Sequence, residues 1–235
     1  MANDGVEPVV FSWSGGKDSA LALHALLNDA RYRVVALLTT VADDYRRISH
    51  HGVRESLLDL QAQSLGLALD KLYLPSQRCT NADYEARMGE TMARYVAQGV
   101  RLVAHGDIFL EDLRTYQERN LARAGMQGLF PIWGRDTREL LEAFFKLGFR
   151  GCLCCVDAQR LGADFAGREL DARLLADLPP GVDLCGENGE YHSFVWDGPI
   201  FRQPVPVRLG QRITREGRHF VDLIPVGEPE LAALL

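Results

Sequence analysis

The stretch Ser14-Gly15-Gly16-Lys17-Asp18-Ser19 decides the fold of this chain through what lies on either side of it. Residues 9–13, Val-Val-Phe-Ser-Trp, form a short apolar run that is typical of a buried strand. Residues 18–30 place apolar side chains at helical spacing. The sequence therefore predicts a strand, a short glycine loop and a helix in immediate succession.

The residue types of this loop are those that bind phosphate groups. The two glycines allow a sharp turn and a close approach of the backbone, and the amides at the start of a helix attract anions. Ser14 and Ser19 add hydroxyl donors, Lys17 adds a mobile positive charge, and Asp18 is suited either to holding Mg²⁺ or to ordering the loop. The pattern is shorter than the Walker loop. The alternative interpretation is a glycine-rich turn that only caps the helix.

Strands and helices alternate through the first two thirds of the chain, which favours parallel βαβ units in a doubly wound α/β sheet. The predicted strands are residues 9–13, 33–39, 69–74, 101–105, 128–133 and the cysteine-rich 151–156. The predicted helices are residues 18–30, 53–65, 83–97, 111–124 and 137–146.

The pattern changes after about residue 160. Extended segments at 191–196, 205–214 and 219–226 are punctuated by proline and glycine, and a hairpin is predicted across Glu216-Gly217. We therefore predict an α/β domain that carries the phosphate-type loop at residues 1–130 and a smaller mixed C-terminal domain at residues 131–235.

Composition narrows the class of protein. The chain has 235 residues, a net charge of −6 and five cysteines. The acidic balance disfavours a DNA- or RNA-binding protein, which usually carries a basic excess. The sequence lacks a signal peptide and an apolar run long enough to span a bilayer. An odd number of cysteines in a chain of this size indicates a reducing cytoplasm.

Several further segments follow the loop in a recognisable order. They are His51-Gly52-Val53-Arg54, Gln61-Ala62, Gly106-Asp107-Ile108, Pro131-Ile132-Trp133-Gly134, Val156-Asp157 and residues 185–199, CGENGEYHSFVWDGP. With the loop, they resemble the diphthine–ammonia ligase-like branch of the ATP pyrophosphatase (PP-loop) superfamily. The resemblance covers roughly residues 8–202, and its last segment is long and highly specific.

This resemblance implies a sheet order of 3-2-1-4-5 for the predicted strands, as in the adenine nucleotide alpha hydrolase-like fold. Ligands then collect beyond the ends of strands 1 and 4. The implied ATP-binding residues are Ser12, Ser14, Gly15, Gly16, Lys17, Asp18, Ser19, Thr39, His51, Gly106 and Asp107. The implied catalytic residues are Lys17, Asp18, Glu187 and Glu190. The implied substrate-binding residues are Arg54, Asn188, Tyr191 and His192. The implied Mg²⁺ ligands are Asp18 and Asp107.

The resemblance also implies a reaction, in which ATP adenylates a carboxylate, pyrophosphate leaves, and ammonium or an amine displaces AMP. The partners would be a small-molecule or protein carboxylate and the nitrogen donor, and a homodimer is compatible with this function. Asn188 and His192-Ser193 depart from the pattern of the eukaryotic and archaeal enzyme and are associated with bacterial relatives. The departure leaves the diphthine substrate open.

Two other functions share the same loop. A PP-loop RNA-modifying enzyme would need a basic RNA-binding surface, which the acidic balance does not indicate. A nucleotide-binding sensor would bind ATP without turnover. Cys152, Cys154 and Cys155 lack a second pair at zinc spacing, so we interpret them as core residues of a strand.

Overall fold

The strand before the glycine loop lies in the middle of a mainly parallel sheet. The computed structural model describes residues 5–49, 51–75 and 79–230. Within these ranges the first sheet contains β1 (Glu7–Ser12), β2 (Tyr32–Ala42), β3 (Arg47–Ile48), β4 (Leu69–Leu74), β5 (Leu102–Ala104) and β6 (Gln127–Leu129).

The parallel strands lie in the order β4-β2-β1-β5-β6. Because β4, β5 and β6 are the third, fourth and fifth predicted strands, the predicted order 3-2-1-4-5 is confirmed. β3 was not predicted, and its two residues pair antiparallel with Val41 and Ala42 at the end of β2. A strand of two residues has too few positions to show an alternating pattern.

Helices cover both faces of this sheet. α1 (Lys17–Leu27) and α2 (Glu55–Leu65) pack on the face that carries Val9 and Phe11. α3 (Asn81–Ala97) and α4 (Glu111–Arg123) pack on the face that carries Val10 and Val103. Since β1 and β5 are followed by helices on opposite faces, a crevice opens between their carboxyl ends.

The C-terminal half forms a second sheet. After α5 (Thr137–Lys146) come β7 (Arg150–Asp157), the short helix α6 (Ala172–Asp177), β8 (Tyr191–Asp197), β9 (Val207–Arg215) and β10 (Arg218–Pro225). The strands lie in the order β8-β7-β10-β9, and all neighbours are antiparallel.

The predicted hairpin joins β9 to β10. Its two turn residues, Glu216 and Gly217, have φ angles of 51° and 75°, as a tight turn between antiparallel strands requires.

Three sequence-based predictions needed correction. The cysteine-rich strand belongs to the second sheet and is antiparallel, rather than extending the parallel βα alternation. The first helix ends at Leu27 instead of residue 30. β6 ends at Leu129 instead of residue 133, because a turn over residues 131–134 begins at Pro131, which has no amide hydrogen for a ladder.

One hydrophobic core joins the two sheets. It contains Phe11 and Leu57 from the first half together with Leu153, Phe194 and Leu223 from the second. The strand cysteines Cys152, Cys154 and Cys155 are buried in this core, as predicted. The boundary at residue 130 stays a prediction, since a shared core does not separate the halves. No described helix is long and apolar enough to cross a lipid bilayer.

Candidate active site

The glycine loop at the start of α1 is held together by contacts between its own residues. Gly15 has a φ of 78°, a conformation that glycine adopts without strain. The hydroxyl oxygens of Ser14 and Ser19 lie 2.7 Å apart, and the Gly16 amide donates to Ser14 Oγ at 3.3 Å. Gly16 is the N-cap of α1, so the positive end of the helix dipole lies at the loop.

Gln61 and β8 hold the loop from the other side. The buried Gln61 amide donates from Nε2 to the carbonyl oxygens of Gly15 (3.1 Å) and Val195 (2.6 Å), and its Oε1 accepts from Trp13 Nε1 at 3.1 Å. The Val195 amide donates to Gly15 O at 2.9 Å. Sequence reasoning did not assign Gln61 to the site, although an amide within the apolar face of α2 is a signal for a buried polar role.

Lys17 is buried rather than mobile. Its side chain is 2% exposed, and Nζ donates to Asp18 Oδ2 at 2.8 Å and to the carbonyl oxygen of Cys185. The ammonium also lies 4.7 Å from the centre of the Tyr191 ring. Burial alone lowers the pKa of Lys17, but the Asp18 carboxylate and these neighbours outweigh it, so the pKa is raised. Lys17 thereby joins the loop to the turn before β8.

That turn, residues 183–190, carries the two predicted catalytic glutamates, which have different partners. Glu190 is buried, and its Oε1 accepts from the Asp183 amide at 3.1 Å and from Asn188 Nδ2 at 3.2 Å. Asp183 Oδ1 in turn accepts from the amides of Cys185 and Glu187 at 3.0 and 3.1 Å. Glu190 therefore organises the turn, while Glu187 faces outward from it.

Glu187 reaches across to the end of β5. Its Oε1 accepts from the Ile108 amide at 2.7 Å. Burial raises the pKa of Glu187 to about 7, and the nearby charges of Asp18 and Asp107 add to the increase. A carboxyl group with this pKa exchanges protons near neutral pH.

Asp18, Asp107 and Glu187 bring three carboxyl groups to the crevice. Burial raises the pKa of Asp18 and of Asp107, although Lys17 acts against it at Asp18. Asp18 Oδ1 is buried without a hydrogen-bond partner among the described residues, which fits a ligand for a cation. Within the described part of the chain, no group of three or more acidic, histidine or cysteine side chains has a metal-binding arrangement.

The end of β5 packs directly on the loop, as predicted. A side chain at Gly106 would bring its Cβ to 3.0 Å from the Ser19 amide nitrogen, so the two backbones touch. His51 also lies at the loop, with Nδ1 3.2 Å from Ser193 O and its ring 4.6 Å from that of His192.

A cavity of about 770 Å³ lies between α3 and α4, beyond the ends of β1 and β5. Its wall includes Ser12, Met92, His105 and Gln117. His105 Nε2 is buried without a partner in the described structure, and burial lowers the pKa of His105 to about 4, so the ring is neutral. The cavity therefore presents a mainly apolar wall with a few hydrogen-bonding groups and the ion pair of Glu85 and Arg123, a combination that is typical of ligand pockets.

Three predicted site residues lie in the interior instead of facing the crevice. Thr39 donates to the Trp13 carbonyl at 2.6 Å, and the buried Tyr191 donates its hydroxyl to Leu184 O at 2.5 Å. Arg54 bonds to the buried carboxylate of Asp222 at 2.6 Å. Their polar groups already have partners within the protein, and a role for these residues in binding stays a prediction.

Comparison with known proteins identifies the family. A model of the diphthamide synthase N-terminal domain matches residues 8–128, and one of the diphthamide synthase C-terminal domain matches residues 136–224. The diphthine–ammonia ligase of Danio rerio is 26% identical over 238 residues, covering 91% of this chain and 90% of that protein. The human diphthine–ammonia ligase is 26% identical over 220 residues, covering 83% and 80%.

A solved structure is also similar, though weakly. The U34-tRNA thiolase NcsA from Methanococcus maripaludis, with its 4Fe–4S cluster, has a TM-score of 0.37 and 17% identity, covering 62% of this chain and 59% of that one. Since the two family models together span nearly the whole chain, the protein belongs to the diphthamide synthase family.

Proposed function

We propose that this protein is an ATP-dependent ligase that adenylates a carboxylate and converts it to an amide. The observation that carries the proposal is the contact between the phosphate-type loop and the Glu187 turn. Lys17 Nζ of the loop donates to the Cys185 carbonyl of the turn, and Glu187, whose pKa is about 7, accepts a hydrogen bond from the Ile108 amide after β5. The name of its relatives, diphthine–ammonia ligase, supports a ligase that uses ammonia.

In the first step, the phosphates of ATP lie at the start of α1 and the adenosine enters the cavity beside Ser12 and His105. A carboxylate oxygen of the substrate attacks the α-phosphorus. The bond between the α-phosphorus and the bridging oxygen breaks, and pyrophosphate leaves. The helix dipole and the buried positive charge of Lys17 favour the negative charge that develops at this end of the loop. Mg²⁺, held in part by Asp18 Oδ1, would neutralise the phosphates.

In the second step, nitrogen replaces AMP. Ammonium or a protonated amine gives a proton to Glu187, and the neutral nitrogen attacks the acyl carbon. The bond between that carbon and the AMP oxygen breaks, so AMP leaves with the oxygen, and the amide forms as the nitrogen releases a second proton to solvent. A base with a pKa near 7 is suited to this exchange at neutral pH.

The two predicted domains would have different roles in this reaction. Residues 1–130 would bind ATP, while residues 131–235 would deliver Glu187 and the second substrate. Asn188, within the turn, and His192, whose ring lies 4.6 Å from that of His51, are proposed substrate contacts. A reducing cytoplasm suits the cysteines, all of which are unpaired in the described structure.

Pyrophosphate exchange into ATP, measured across a panel of carboxylates, tests the proposal. A carboxylate that stimulates exchange in the wild type without any nitrogen donor would support adenylation. Exchange that no carboxylate stimulates, despite normal ATP binding, would instead favour a sensor.

A further inference from the structure

A second large cleft separates the β9–β10 hairpin from the first sheet. Its volume is about 1060 Å³. Thr40 near the end of β2 and Tyr45 after it form one wall, and Arg215, Arg218 and Phe220 of the hairpin form the other. We call this the hairpin cleft.

The hairpin cleft is positively charged in an acidic protein. Arg47, Arg215 and Arg218 line it, and Glu216 is the one acidic residue among its described lining residues. Arg47 is neutralised by the buried Asp222. Arg215 pairs at 3.2 Å with Glu216, whose side chain is 80% exposed and which screens it little.

Arg218 has no carboxylate partner among the described residues. Its Nη1 donates to the Gly189 carbonyl at 3.1 Å and lies 3.9 Å from Cys155 Sγ, while Nε and Nη2 have no hydrogen-bond partner among the described residues, and Arg218 lines the cleft. A cleft with excess positive charge attracts an anion, and a guanidinium binds a carboxylate through two parallel hydrogen bonds.

The hairpin cleft borders the candidate active site at two points. Gly189, the partner of Arg218, lies between Asn188 and Glu190 in the turn at residues 183–190. Gly52 lies on the opposite wall. Its neighbour His51 contacts Ser193, which lies beside the loop. A ligand in the cleft therefore lies next to the turn that carries Glu187.

We infer that the hairpin cleft binds the acyl substrate, and that this substrate carries a second anionic group, which Arg218 and Arg215 hold while the reacting carboxylate faces the loop. The inference rests on the proposed function. The alternative is a substrate with a quaternary ammonium group, since aromatic rings also line the cleft. The Arg215 guanidinium, however, already lies 5.4 Å from the centre of the Tyr45 ring, and two arginines repel a further cation.

Two matched probes distinguish these substrates. Glutarate and 4-(trimethylammonio)butanoate share a carboxylate and three methylenes and differ in the charge of the other end. Their affinities are measured by titration calorimetry on the full chain with Mg²⁺ and α,β-methylene ATP, which cannot be cleaved. Glutarate should bind at least about tenfold more tightly, because a charge-assisted hydrogen bond is gained instead of a repulsion.

Arg218→Gln should weaken glutarate binding by about 10- to 100-fold and leave the affinity for the ATP analogue unchanged. Arg218→Lys, which keeps the charge, should retain most of the affinity and also controls for folding. Arg208→Gln is the matched control, because Arg208 is exposed on the same hairpin and does not line the cleft.

The inference fails if glutarate binds no better than the trimethylammonio probe, or if Arg218→Gln leaves glutarate binding unchanged. It also fails if Arg218→Gln weakens the ATP analogue instead, because the cleft would then belong to the nucleotide. None of these results requires turnover, so they remain separate from pyrophosphate exchange, which tests the proposed function.

Discussion

At the scale of single residues, Glu187 is the group whose charge state matters most. Its pKa rises from the ordinary 4.5 to about 7 in the folded protein. Below pH 4.5 the carboxyl is neutral in both the folded and the unfolded chain. In the folded protein the neutral form is more stable than the ionised form. That stabilisation is lost as the pH rises from 4.5 through 7, because the unfolded chain ionises first.

Glu187→Gln should therefore raise the free energy of unfolding at pH 8 by about 1–3 kcal/mol and change it little at pH 5. The Gln oxygen can still accept from the Ile108 amide. Thermal unfolding at both pH values measures the difference. Glu216→Gln, at an 80% exposed side chain, is the control and should show no such dependence. A Glu187→Gln variant equally stabilised at both pH values would contradict the raised pKa.

The same residue sets a kinetic prediction. If Glu187 accepts the proton, kcat/KM for the ammonium reaction should rise with pH along a limb centred near pH 7, since the base must be ionised. Glu187→Gln should lower the rate of amide formation by about 100-fold or more and keep ATP binding. A variant that retains the wild-type rate and pH profile would remove Glu187 from the mechanism.

Which residues form the loop could be predicted, because glycines, hydroxyls and a helix start are local features. Which side chains they bond to could not. Lys17 and Cys185 are 168 residues apart in the sequence, and only the fold brings the carbonyl to the ammonium. The same holds for Arg54. Its positive charge is typical of a substrate contact, but the fold places it beside the buried Asp222 carboxylate.

At the scale of elements, the side chain of Gln61 links α2 to the loop and to β8 through hydrogen bonds. Gln61→Leu would leave the Trp13 N–H and the Val195 carbonyl without this partner in the core. We expect the variant to lose about 2–3 kcal/mol of stability and to bind ATP more weakly, because the loop loses its support. Urea unfolding and nucleotide titration measure the two effects.

Gln63→Leu is the matched control, since Gln63 is exposed on the same helix. If the two leucine variants are equally stable, the Gln61 bonds do not contribute to the stability of the loop.

A buried ion cluster joins β10 to the start of α2. Asp222 is 1% exposed and bonds to Arg47 at 3.1 Å and to Arg54 at 2.6 Å. Asp222→Ala leaves two buried guanidinium groups without their carboxylate, so we expect a loss of about 3–5 kcal/mol. Urea unfolding measures it, with Asp29→Ala as a control at an exposed pair with Arg31. Equal effects of the two variants would contradict a stabilising role.

Prediction at this scale succeeded where the pattern was long and failed where it was short or ambiguous. The helices with clear periodicity and the strand order were predicted. α6, with six residues, was not, because less than two turns show no period. β7 was placed in the wrong sheet, since its continuous apolar run, Cys152 to Val156, is equally typical of a parallel strand and of any strand buried on both faces.

At the scale of the whole molecule, the two sheets meet at the loop. No single segment of the sequence predicts this junction. The first sheet supplies the phosphate-type loop, and the second supplies the turn with Glu187 and the arginines of the hairpin cleft. Because one core joins both sheets, the distance between the two halves of the site is fixed by packing. The net charge of −6 leaves the cleft arginines as a local exception that suits a small anion.

The most direct test of the central claim, that a carboxylate is adenylated on this loop, is the fate of its oxygen. A substrate labelled with ¹⁸O in the carboxylate is converted in the presence of ATP, Mg²⁺ and ammonium, and the products are analysed by mass spectrometry. We predict AMP that carries one labelled oxygen, together with unlabelled pyrophosphate, because the acyl carbon–oxygen bond breaks when nitrogen attacks. Label in inorganic phosphate with ADP as the other product, or unlabelled AMP, would contradict the account.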